Sequence, residues 1–249
     1  MAGRFWREHP EWRVGKDGIE GWPEGQPVSR AAIDFQDFAN EQVRRYRIAI
    51  AEGVASRYNV DEIELDFMRC PYFFNKSHLP AMATVMTDYV REIRRTLDRL
   101  GRQRGRYIGL SARLPWTIAG AAATGLDAPR WARDGLVNQL VPSPFFAMTL
   151  DADVSEWIAV GKRTGCRIYP CIEDSYRAGI SMEGGAPGLQ WVDLERARAT
   201  VLNFWNAGAD GIYLFNWPDR GRNALLRTAA GHSRGASSRT ARPREPASR

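Results

Sequence analysis

The run from Asp61 to Phe74 (DEIELDFMRCPYFF) concentrates the groups in this chain that are able to do chemistry. Ile63, Leu65 and Phe67 alternate with Glu64, Asp66 and Met68, the spacing of a strand whose side chains point to opposite faces. One face is apolar and the other carries two carboxyl groups. Inside a parallel barrel such a strand aims Asp66 at the C-terminal mouth and holds Glu64 one layer deeper. Barrel enzymes keep their acids, bases and nucleophiles at that mouth. A charge at the deeper level must be paired, so Glu64 is expected to be structural and Asp66 to be the working group.

The elements that would position these groups alternate along the chain. Asn40 is a predicted N-cap for a helix with Val43, Tyr46, Ile50 and Val54 on one face. After the acidic strand (62–68), a helix over 79–100 carries the stripe Val85, Tyr89, Ile93, Leu97 and Leu100. Further strands are predicted at 107–113, 136–141, 167–172 and 211–216. Between them come a short helical piece around Trp131 and helices over 152–164 and 193–207, the last closed by Gly208. Strands alternating with helices of this length imply right-handed βαβ units and a parallel sheet.

The strands end in polar residues: Asp66 and Arg69, Ser111 and Arg113, Ser143, Glu173 and Asp174, and Asn216. That pattern favours an α/β (β/α)8 barrel over a doubly wound sheet, which more often shows a glycine-rich first turn; no GxGxxG occurs. Five strands are countable, and they correspond to the fourth to eighth of a partial barrel. Residues 1–37 read as a long loop, 38–217 as the barrel domain and 218–249 as a basic, disordered tail.

Charge and composition narrow the partners. The net charge is +6. Residues 218–249 carry eight arginines against Asp219 and Glu245, so the tail accounts for all of it and the body is neutral. A specific nucleic-acid binder shows a basic stripe on its folded face, and none is expected here. No run of 18 apolar residues occurs, so no membrane span is expected. The N-terminus lacks the apolar core of a signal peptide. This places the chain in the cytoplasm by default, or outside it if residues precede Met1. Cys166 and Cys171 flank one strand, roughly 16 Å apart when extended, too far for a disulfide. His9, His78 and His232 are scattered and suggest no metal site. Oligomeric state is not legible.

The stretch Tyr58–Arg69 (YNVDEIELDFMR) resembles the RYDVDGIELDFMR signature of bacterial glycoside-hydrolase-like proteins related to family 10. The resemblance continues through Ile168–Glu173 and Gly208–Trp217 and covers about residues 30–217. Glu62 stands where the signature has glycine. The resemblance implies a TIM barrel acting on an oligo- or polysaccharide.

Glycoside hydrolysis uses one carboxyl group to protonate the leaving oxygen and another to attack or activate water, without metal or organic cofactor. Asp66 and Glu173 end the fourth and seventh strands, which face each other across an eight-stranded mouth, and are the expected pair. The alternative for Asp66 is a carboxylate paired with Arg69 or Arg113. Those two arginines are expected either to bind substrate or to neutralise the acidic strand. Aromatic groups after strand ends suit sugar faces: Trp217, beside Asn216, is the favoured platform, with Tyr72 as a further contact. His9 and Trp12 are expected to line the mouth. A non-catalytic carbohydrate-binding barrel and an inactive fragment are the rival readings.

Overall fold

The computed structural model describes residues 7–15, 35–68, 72–74, 79–144, 148, 152–177 and 189–217. Arg69, Phe145, Phe146, the glycine-rich segment 179–188 and the tail 218–249 lie outside them.

Helix α1 (Glu41–Arg57) begins where expected, with the Asn40 side chain accepting a hydrogen bond from the Gln42 amide at 2.8 Å. Its buried face differs from the expected one. Val43, Ala51 and Ala55 are buried, whereas Ile50 and Val54 are exposed. The larger apolar side chains carry the sequence signal, but α1 packs against α2 (Leu79–Arg104), and the two alanines leave room for close contact. Along α2 the predicted stripe is buried except at Val85, which is half-buried.

Strand β1 (Glu62–Asp66) pairs in parallel with β2 (Gly109–Pro115). Two short helices follow, α3 (Ile118–Ala123), which carried no expectation, and α4 (Ala128–Arg133) around Trp131. Strand β3 (Gln139–Ser143) joins β2, and α5 (Ser155–Thr164) packs outside. The single strand expected over 167–172 is divided into β4 (Arg167–Ile168), paired with β3, and β5 (Cys171–Glu173), paired elsewhere. Pro170 lies at the break and has no N–H to continue the ladder. After β5, β6 (Ser175–Arg177) pairs antiparallel with β7 (Leu189–Trp191). Helix α6 (Leu194–Ala207) starts on the Asp193 cap and ends at Gly208, whose φ of 101° is the left-handed closure glycine supplies cheaply. Strand β8 (Tyr213–Phe215) then pairs in parallel with β5.

The result is an α/β arc of parallel strands ordered β1-β2-β3-β4, continued by β5-β8, with helices on its outer side. Leu110, Ala112, Leu114, Leu140 and Ile172 point outward into the apolar core beneath those helices. The N-terminal stretch is more ordered than a plain loop. Arg13 bridges Gln36, and the Phe38 amide donates to the Phe73 carbonyl, which ties this segment to the turn after β1.

Candidate active site

Parallel register decides which residues share the inner face. Glu64 lies beside Ser111, Asp66 beside Arg113, and Glu173 beside Phe215. Paired residues in a parallel ladder project to the same side, so the polar residues of five strand segments converge opposite the apolar core.

Arg113 is the centre of that face. It is 2% exposed, and each nitrogen of its guanidinium has a partner. Nε donates to Ser143 Oγ at 3.0 Å, Nη1 to both oxygens of Asp66 at 3.3 Å, and Nη2 to Glu173 Oε1 at 3.0 Å. The Phe215 ring lies 3.6 Å from the guanidinium carbon, a cation–π contact. Asp66 also accepts from the Met68 amide at 2.8 Å. The two carboxylates expected to act together are therefore brought together, through a shared arginine. Both carboxylates bind the same guanidinium, and the separation between two such groups is what distinguishes retaining from inverting hydrolysis. They differ in access: the Asp66 side chain is 35% exposed and the Glu173 side chain 3%.

Glu64 is not the deeply buried, cation-paired group the spacing implied. It is exposed, because β1 has a neighbour on one side only among the described strands. The Tyr213 phenol donates to Glu64 Oε1 at 2.9 Å across the arc. Partial burial pushes the Glu64 carboxyl above its ordinary value of 4.5, and the nearby Asp66 adds to the rise, while the Tyr213 hydrogen bond opposes it. A carboxyl whose pKa is raised on folding favours the fold when protonated, and that advantage is lost as pH rises through the raised pKa. Glu64→Gln, which cannot ionise, is therefore expected to melt above the wild type at neutral pH. The gap should close below pH 4.5. Thermal melts of both proteins across that range check it.

Tyr213 and Phe215 were missed as site residues. Their i, i+2 spacing on the last strand was the available signal, since it places both on the face opposite Leu214. Asn216 is exposed and has a φ of 56°, a left-handed conformation unusual outside glycine but tolerated by asparagine. Trp217 is half-buried and donates its indole N–H to the Ile172 carbonyl at 2.9 Å, which seats its ring over the end of β5. Tyr72 does not offer the stacking face expected of it: it is 4% exposed and stacked on Phe35. Phe73 and Phe74 are core residues. Among the described residues, the most open aromatic at this end is Trp191 on β7, 52% exposed. His9 stacks on Trp12 at 4.2 Å, and Trp12 meets Tyr46 of α1. Trp12 thereby connects His9 to the N-terminal half of α1.

Cys171 lies on the inner face next to Ser143. Burial pushes its thiol up to about 12, which removes it as a nucleophile at neutral pH. A separate depression bounded by Arg57, Tyr58, Asn59, Arg104 and Arg106 lies where α1 and α2 end, at the opposite end of the strands from Asp66. No described helix is long and apolar enough to cross a membrane.

No family model matches the chain, and no curated protein matches it in sequence. Solved structures do resemble it in fold. A glycoside hydrolase family 18 N-acetylglucosaminidase from Paenibacillus barengoltzii has a TM-score of 0.53 at 14% identity, covering 78% of this chain and 77% of its own. The catalytic domain of the psychrophilic chitinase B from Arthrobacter TAD20 has a TM-score of 0.58 at 11% identity, covering 80% of this chain and 66% of its own. A chitinase from Bacillus thuringiensis has a TM-score of 0.55 at 10% identity, covering 78% of this chain and 47% of its own. The chain thus spans between about half and three-quarters of these proteins. At such identities the likeness concerns the fold: a TIM-barrel type of α/β architecture, as the strand pattern implied. The Paenibacillus neighbour belongs to family 18, not to family 10.

Proposed function

We propose that the chain forms part of a glycoside-hydrolase-type barrel that binds an oligo- or polysaccharide and hydrolyses a glycosidic bond. The observation that carries this reading is the pair of carboxyl groups, Asp66 and Glu173, joined at the strand tips by one buried arginine. Asp66, the more open of the two, faces the bound sugar as base or nucleophile. Glu173 is the second carboxyl of the mechanism, and Arg113 sets the separation between them. Trp191 and Trp217 supply aromatic faces for sugar rings. The signature at residues 58–69 supports a relation to family 10, whereas one fold neighbour is a family 18 enzyme, so the substrate class proposed is no narrower than glycan.

If Glu173 acts at the bond, Glu173→Gln should lower hydrolysis about 100-fold or more, the usual contribution of a positioned acid or base. Turnover of a glycan panel by wild type and variant measures this, and a rate near that of the wild type removes Glu173 from the pair. One observation favours a second reading, a carbohydrate-binding barrel without catalysis: the Glu173 side chain is 3% exposed and already engaged with Arg113. In that case a glycan at 100 times its dissociation constant adds about 2.7 kcal/mol to stability, yet no product forms with wild type.

A further inference from the structure

The depression at the far end of the strands from Asp66 is bounded by Arg57, Tyr58, Asn59, Arg104 and Arg106 and has a volume of about 530 Å3. Helix α1 ends at Arg57 and helix α2 at Arg104, so their last turns supply two of the three arginines. Arg106 is engaged: it forms an ion pair with Asp61 and donates to Asn59 Oδ1 at 2.6 Å and to the Val60 carbonyl at 2.8 Å. These bonds fix the link between α1 and β1 as one wall. A guanidinium only donates, so Asn59 turns its oxygen to Arg106 and keeps its amide N–H groups for another acceptor. Among the described residues, neither Arg57 nor Arg104 has an ion-pair partner, and Arg104 Nη1 is shielded from solvent with no hydrogen-bond partner.

Basic residues in a last turn ordinarily complement the helix carbonyls. That accounts for Arg57, which stands in water. It does not account for Arg104, because a guanidinium N–H withdrawn from water is normally given an acceptor and is destabilising without one. None of the residues bounding the depression is acidic. The groups they offer are donors: two guanidinium groups, the Asn59 amide and the hydroxyl of Tyr58, a residue 64% exposed. We propose that this depression binds a phosphate group, held by Arg57 and Arg104 with Asn59 and Tyr58 as further donors. A phosphate presents several acceptor oxygens and more than one charge, and it takes the guanidinium fork in a bidentate manner. That suits two unpaired arginines better than a single carboxylate does. The site is separate from Asp66 and Glu173.

The test is thermal unfolding and calorimetric titration of the whole chain with inorganic phosphate, at about pH 7.5, where phosphate carries between one and two charges. Chloride and acetate at matched ionic strength are the controls. Phosphate should raise the unfolding midpoint in a saturable way, and the controls should not. Arg57→Gln and Arg104→Gln should each weaken phosphate binding about tenfold, the scale of one charge-assisted hydrogen bond. Arg57 is exposed, so Arg57→Gln keeps the test decisive even where Arg104→Gln does not fold. Arg45→Gln removes the same charge about 18 Å away along α1, where Arg45 pairs with Glu41, and should leave binding unchanged. Glucose 6-phosphate as a second probe separates the sources of the group. Binding tighter than that of the free ion, and lost in Tyr58→Ala, assigns the site to a phosphorylated sugar, and equal binding assigns it to the ion itself. Absence of saturable phosphate binding, or an equal response to chloride or acetate, overturns the inference. So does equal weakening in Arg45→Gln, which is the mark of a diffuse attraction of anions to a basic chain. These outcomes leave the carbohydrate reading unaffected.

Discussion

Arg113→Met is expected to destabilise the protein by about 3–5 kcal/mol, because it strips a buried carboxylate of its guanidinium. The loss comes mainly through Glu173, whose side chain is 3% exposed. Asp66 adds little, since its side chain is 35% exposed and water screens the charge left behind. Methionine roughly keeps the length of the stem, so the effect is electrostatic more than a packing defect. The check is the midpoint of urea unfolding for wild type, Arg113→Met, Glu173→Gln and the double variant. If the two groups act as a unit, the double variant should be clearly more stable than the sum of the single changes implies. Additive losses would mean that Arg113 and Glu173 contribute separately.

Trp131→Ala should also remove about 3–5 kcal/mol, the usual range for deleting a large buried aromatic. Trp131 is fully buried, donates its indole N–H to Thr87 Oγ1 at 2.9 Å, and packs its ring against Phe67 at 5.6 Å. Phe67 directly follows Asp66, and its amide donates to the Arg113 carbonyl at 2.9 Å. The cavity left by the change therefore adjoins the backbone that aims Asp66. Chemical denaturation measures the stability loss. Glycan binding by protein that remains folded should weaken in parallel, since the strand tip loses its support. Trp131→Phe, which refills most of the space but lacks the N–H, should recover most of both. A loss for Trp131→Ala under about 1 kcal/mol would show that the site collapses around the missing ring.

Much of the architecture was legible because it is encoded locally. Alternation of Ile63, Leu65 and Phe67 with Glu64 and Asp66 is a property of neighbouring residues, as are the Asn40 cap and the Gly208 closure. Each follows from a period or a terminal hydrogen bond that a few residues decide among themselves. Polar strand ends are readable for the same reason, and the structure brings two of them, Asp66 and Glu173, to one guanidinium. Errors arose where small or constrained residues made the decision. Ala51 and Ala55 outweigh Ile50 and Val54 because a neighbouring helix selects for close approach, not for hydrophobicity. Pro170 divides a strand whose apolar content reads as continuous.

What the sequence by itself determined is the order of strands and helices, the chemically different faces of each strand, and the identity of the groups at the mouth. Only the tertiary structure decided how those groups meet. Arg113 and Glu173 are 60 residues apart in the chain, and Tyr213 and Glu64 are 149 apart. Their contacts follow from strand order, ladder register and the curvature of the sheet, none of which has a local signature. The same holds for access. Tyr72 and Trp191 are both aromatics near strand ends, yet one is stacked in the interior and the other stands half in water. Burial is a sum over all neighbours that pack around a residue, so it is settled when the elements come together and not before.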